Sequence, residues 1–164
     1  MKLSKNFSLN EFTKSATATA RGIDNTPQGI HLENLKYVVE KICQPAREHF
    51  GKPVRINSGY RSPALNRAVG GSKTSQHCNG EAVDMEIDGL PNKTLADWIA
   101  DNLEFDQVIL EFYNPAEGAN SGWVHASIRR DGKNRKSKLI AFKDGKSTRY
   151  EAVKDFDNLN KWKK

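Results

Sequence analysis

Asp84 stands in the middle of a run that otherwise reads as a buried strand, Ala82-Val83-Asp84-Met85-Glu86-Ile87. On a strand, Val83, Met85 and Ile87 point to one face, while Ala82, Asp84 and Glu86 point to the other. A carboxylate between apolar neighbours is costly to desolvate unless it is paired or holds a metal. The chain must therefore fold so that a partner reaches Asp84. His77 lies upstream in Ser75-Gln76-His77-Cys78-Asn79-Gly80, and Gly70, Gly71 and Gly80 supply a loop able to bring it round. His125 repeats the anomaly inside a second short apolar strand, Gly122 to Ile128. Two imidazoles and one carboxylate on neighbouring strands make a three-ligand zinc site with a fourth position open for water. On the residues alone, two satisfied core histidines and a capping aspartate remain the alternative. His31 and His49 fall among charged neighbours on a long helical stretch and read as surface residues.

The rest of the chain is expected to form one domain, residues 1–164, with no repeat, low-complexity tract or linker. Ser8-Leu9-Asn10-Glu11 has the form of a capping box and opens a short helix. Thr26-Pro27 is expected to start a longer one, with Leu32, Leu35, Val38, Val39, Ile42 and Ala46 at helical spacing up to Gly51. Pro45 should kink or split it. A strand over residues 53–58 precedes a helix capped by Ser62 with Pro63 at its first position. An amphipathic helix over residues 93–103 follows, then strands over 105–112, 122–128 and 138–142, the last turning through Lys143-Asp144-Gly145-Lys146 into 148–153. Helices first and strands later argue for an α+β domain with a central, mostly antiparallel sheet flanked by helices.

Charge narrows the partners without naming one. There are 26 basic against 20 acidic residues, a net charge of +6, with much of the excess in Arg129 to Lys138 and in the terminal Lys161-Trp162-Lys163-Lys164. This suits an anionic partner such as nucleic acid, teichoic or lipid phosphate, or cell-wall carboxylates, and it equally suits a solvated basic face. No nucleic-acid motif is present, and aromatic and basic residues do not interleave as in a single-strand groove, so nucleic acid is not expected. No apolar run has the length of a signal peptide or a membrane span. A protein kept in the cytoplasm until another moves it out is expected. The two cysteines, Cys43 and Cys78, form neither a disulfide framework nor a C-x-x-C pair. Cys43 lies on the apolar side of its helix and reads as core.

The segment from Ser58-Gly59-Tyr60-Arg61-Ser62 to Asp84, followed by Trp123-Val124-His125, resembles the zinc-dependent D-Ala-D-Ala carboxypeptidases, a family that includes L-alanyl-D-glutamate endopeptidases of phage lysis systems. The pattern S-x-H-x-x-G-x-A-x-D is met by Ser75, His77, Gly80, Ala82 and Asp84. The likeness runs from about Phe7 to Ile128 and leaves 129–164 as a basic C-terminal extension of the same domain. It implies the hedgehog/DD-peptidase fold, one zinc held by His77, Asp84 and His125, and a role for Arg61 in holding a substrate carboxylate or carbonyl. It also implies peptidoglycan stem peptides as substrates, a monomer, and a phage role in lysis or, packaged in the virion, in entry.

A peptidase needs a group that takes the proton of the attacking water. Many relatives place an acid three residues before the last histidine ligand, where this chain has Gly122. Glu111, ending an apolar strand expected to pair with the His125 strand, is the substitute, against a structural ion-pair role. Asp106 and Glu117 lie nearer turns and read as surface. Ser75 and Gln76 stand beside a ligand and could bond substrate, and Trp123, on the face of His125, could wall a cleft or belong to the core. Two rival functions stay in view. One is a cysteine peptidase built on Cys78 and His125, against which counts the lack of a helix N-terminus at Cys78. The other is a zinc-holding binding module without turnover.

Overall fold

The computed structural model describes residues 1–157, so the terminal basic run at 161–164 lies outside the described residues. A small hairpin, β1 (Lys2–Ser4) with β2 (Phe7–Ser8), opens the chain. It leads into α1 (Leu9–Thr13), where the Glu11 carboxylate accepts the Ser8 backbone N–H at 2.7 Å, as a capping box requires. A short helix not anticipated from the sequence, α2 (Ala16–Arg21), follows, with the Ser15 side chain accepting from the Ala18 N–H.

The long helix does not begin at Thr26. The Asp24 side chain takes the Thr26 N–H at 3.0 Å, and Gly29 holds a non-helical backbone at φ 55°, so α3 starts three residues after Pro27 and runs Ile30–Val38. Pro45 splits the helix as expected. A wide π turn over Val39–Cys43, in which the Gln44 N–H reaches the Val39 carbonyl, precedes α4 (Gln44–Phe50) and accommodates a residue without an N–H. Gly51, at φ 63°, ends it.

β3 (Arg55–Ser58), α5 (Pro63–Ala68), β4 (Ala82–Glu86), α6 (Asn92–Asn102), β5 (Gln107–Glu111), β6 (Trp123–Ser127), β7 (Ser137–Asp144) and β8 (Ser147–Ala152) complete the fold. Ser62 caps α5 by accepting from the Leu65 N–H at 3.2 Å. Six strands form one sheet in the order β3-β4-β6-β5-β7-β8. Its pairs are antiparallel except β5 with β7, which is parallel because the chain passes from β6 over β5 to reach β7. This is the expected α+β domain with a mostly antiparallel sheet flanked by helices.

One face of the sheet carries the core. Val83, Met85, Val108, Leu110, Val124, Ala126 and Ile140 are buried there together with Leu35, Val38, Ile42, Leu95 and Ile99 of the helices. Burial of this size supplies the main favourable term in folding. The opposite face is left partly open, as antiparallel sheets allow. On it stand the alternate residues of the same strands: Asp84, Ile109, Glu111, Trp123 and His125. No helix among the described residues is long and apolar enough to cross a membrane.

Candidate metal centre

Asp84 and His125 are direct partners across the β4–β6 pair. His77 comes from a 3-10 turn, Gln76–Asn79, that precedes β4. Ser75 caps this turn by accepting the His77 N–H at 3.2 Å. Gly80, at φ 76°, ends it, and a Cβ there would lie 2.3 Å from the His31 carbonyl oxygen. That approach leaves His31 half-buried rather than on the surface, whereas His49 is exposed and stacks on Trp98 at 4.5 Å.

His77 Nδ1 lies 2.7 Å from the Gly59 carbonyl oxygen, which can only accept, so Nδ1 carries the proton and donates. Nε2 then faces Asp84 Oδ2 at 3.3 Å, and His125 Nδ1 faces Asp84 Oδ1 at 3.1 Å. A bare lone pair there would face a carboxylate, so Nε2 meets Asp84 across a proton or a cation held between them. One atom from each of the three side chains lies within 4.8 Å of the others. Two imidazoles and a carboxylate at that spacing fit zinc. Burial works to raise the Asp84 pKa, but His77 and His125 outweigh it and hold the carboxyl well below the usual range, so it is ionised.

Glu111 sits opposite Trp123, two residues along β5 from the row that pairs Ile109 with His125 and so the next position on the same face. It is buried, and its Oε2 accepts a hydrogen bond from Trp123 Nε1. Burial first, then the charge of Asp84, push its pKa up to about 7 against the opposing pull of His125, Trp123 and Arg61. Trp123 is half-buried and lines the cleft rather than filling the core. Gly122 has φ 66°, and a Cβ there would lie 1.9 Å from the Glu111 carbonyl oxygen. The position three residues before His125 has no room for a side chain.

The cluster opens into a cleft of about 1370 Å³. Its lining draws on all six strands and on the segments around α2 and α5, and it includes Arg61, Ser75, Gln76, Glu111 and Trp123. Arg61 is held by its N–H to the His77 carbonyl. Its guanidinium lies 3.5 Å from the Ser75 hydroxyl, and its buried Nε has no partner among the described residues. A half-satisfied guanidinium facing a cleft suits an anionic or carbonyl oxygen.

Asp106 is fully buried and not on the surface as expected. It accepts from the backbone N–H of Arg135 at 2.8 Å, from Arg135 Nη2 at 2.8 Å and from Gln76 Nε2 at 2.9 Å. Arg135 is 29 residues away in sequence, which is why no local pattern marks the aspartate. The Gln76 amide, beside His77, is thus engaged with protein. Glu117 is exposed, as expected. Cys43 is fully buried. Burial raises the Cys78 thiol against the pull of Arg61, which opposes use of Cys78 as a thiolate nucleophile. Two cleft residues, Leu139 and Tyr150, were not singled out from the sequence. Their place follows from the parallel pairing of β7 on β5, which nothing in the local pattern announces.

Residues 5–126 match the family described as Peptidase M15, whose members are zinc-dependent peptidases. No curated protein matches the chain.

Proposed function

We propose, from the premise that this chain belongs to the Peptidase M15 family and is a zinc metallopeptidase, that it hydrolyses a peptide bond in peptidoglycan stem peptides at the cleft over β4, β6 and β5. In this reading His77, Asp84 and His125 hold the metal, Glu111 is the general base, and Arg61 grips a substrate carboxylate or carbonyl. The observation that carries it is the convergence of His77, His125 and the ionised Asp84 within 4.8 Å, with the buried Glu111 carboxylate two residues along the neighbouring strand from the row of His125.

Zinc at such a site supplies Lewis acidity, activating the attacking water and polarising the scissile carbonyl. The Gly59 carbonyl fixes the tautomer of His77 and so aims Nε2 at the centre. Trp123 occupies Oε2 of Glu111, leaving Oε1 to take the proton of the water and pass it to the leaving amine. A pKa near 7 suits a group that must both accept and release that proton at neutral pH. Arg61 and the Ser75 hydroxyl stand on the other side of the cluster, where a substrate oxygen would find two donors. Gln76, tied to Asp106, serves by holding the turn that carries His77. Ile140 and Phe156 pack in the same core as residues of the family-matched part, which supports one domain over the described residues. The phage role, in lysis or entry, and a monomer acting at the wall after release or from the virion complete the proposal, and they rest on the resemblance alone.

The test is mass analysis of soluble fragments released from purified sacculi by the zinc-loaded protein. Fragments with new termini inside the stem peptide are expected, and their masses identify the bond. Binding to sacculi with no new termini would overturn the peptidase reading in favour of a binding module. Loss of cleavage on thiol alkylation, with no effect of chelators, would favour the cysteine reading.

A further inference from the structure

The cleft has a wall that the family-matched residues do not supply. Strands β7 and β8 lie beyond residue 126 and extend the sheet past β5. Register carries one row of residues across four strands: Trp123 opposite Glu111, Glu111 opposite Ala141, Ala141 opposite Tyr150. All four therefore stand on the cleft face, and Ala141 puts only a methyl between the carboxylate and the phenol. Tyr150 lines the cleft, is 55% exposed, and its hydroxyl has no hydrogen-bond partner among the described residues.

Strands stand about 4.8 Å apart, so the backbones of Glu111 and Tyr150 are separated by about 10 Å, the span of roughly three residues of extended peptide. A substrate lying across the strands, with its scissile bond beside Glu111, has its next residues under Tyr150. Burial and then the charges of Glu111 and Asp84 raise the phenol above its ordinary pKa, which keeps it neutral and a donor.

We propose that Tyr150 is a substrate-binding residue, its hydroxyl donating to a main-chain carbonyl oxygen of the substrate peptide on the side of Glu111 away from Asp84 and His125. The β7–β8 hairpin then favours peptides long enough to reach it from Glu111. The proposal rests on the peptidase reading above.

The experiment compares wild type, Tyr150→Phe and Tyr150→Ala with a soluble muropeptide bearing a pentapeptide stem. It measures kcat and KM of the zinc-loaded proteins and, by NMR titration, Kd for the metal-free proteins, which do not turn the peptide over. Zinc content and Tm are recorded on the same preparations. Losing one hydrogen bond should raise KM and Kd together by about 3- to 10-fold in Tyr150→Phe, with most of the loss in kcat/KM carried by KM. Zinc content and Tm should not move. Unchanged KM and Kd in Tyr150→Phe overturn the proposal, and so does a loss confined to Tyr150→Ala, which would make the ring an apolar wall only. A wild-type protein that neither cleaves nor binds the muropeptide overturns the peptidoglycan reading and this proposal with it. Normal wild-type turnover with an unaffected Tyr150→Phe variant removes this proposal alone.

Discussion

Gly122 packs so closely on the end of β5 that a Cβ at its position would stand 1.9 Å from the carbonyl oxygen of Glu111 and 2.6 Å from the carbonyl carbon of Phe112. Both contacts are to backbone, which cannot swing aside as a side chain would. Gly122→Ala should therefore lower Tm, since left-handed strain alone costs roughly 1–3 kcal/mol, and should lower kcat by displacing Glu111. Gly122→Glu, which puts an acid three residues before His125, should fail to restore activity to a Glu111→Gln protein. Wild-type Tm and kcat in Gly122→Ala would show that the β5 end gives way freely.

Zinc should bind at about one ion per chain, and His77→Ala, Asp84→Ala or His125→Ala should each remove it together with activity. Chelation should abolish turnover and lower Tm, because an ion that binds only the folded state stabilises it. Metal analysis and calorimetry on one preparation check both. Full occupancy in His125→Ala would remove that residue from the ligand set.

Glu111→Gln should reduce kcat about 100-fold or more while zinc content stays. The ionised form is the base, so kcat/KM should fall as pH drops through the region near 7, with a bound cation drawing that limb lower. Stability moves the other way. The folded pKa lies above the unfolded value of about 4.3, so the contribution of this group is present at low pH and declines as pH rises to about 7. Metal-free Glu111→Gln should consequently melt above metal-free wild type at pH 8. A zinc-loaded variant with near-normal kcat would pass the base role to another group.

Arg61→Ala should keep zinc and lower kcat/KM by about 10- to 100-fold, the effect of removing one charge-assisted contact. Arg61→Lys should recover only part, since a point charge does not reproduce the fork. Unchanged kinetics in Arg61→Ala would remove it from the substrate site.

Asp106 links pH to fold. Burial works to raise its pKa, but the Arg135 side chain and backbone N–H and the Gln76 amide lower it overall. Its stabilisation is therefore present above the unfolded value of about 3.9 and lost as pH falls through the lower folded value. Asp106→Asn should cost about 1–3 kcal/mol at neutral pH, flatten the fall of Tm below pH 4, and weaken zinc affinity by freeing Gln76 beside His77. An unchanged Tm at pH 7 would contradict this.

Where the chemistry was local, the sequence was enough to read it. The alternation around Asp84 and His125 places both on one face, and Ser62 with Pro63 marks α5 because a cap and its first turn are neighbours in the chain. Glu111 was legible as a carboxylate closing an apolar run. Asp106 was not, since its partner Arg135 arrives from a loop beyond β6. Nor was Tyr150, whose place depends on β7 running parallel to β5. Thr26 misled because Asp24 captures its N–H and Gly29 breaks the helical path before Ile30.

The two-faced sheet separates what mutation can change. Along β5, Val108 and Leu110 serve the core while Gln107, Ile109 and Glu111 face the cleft. A saturation scan should consequently alternate residue by residue, one position altering abundance and the next altering turnover. Selection can then retune substrate preference at every second position without drawing on the packing that keeps the domain folded.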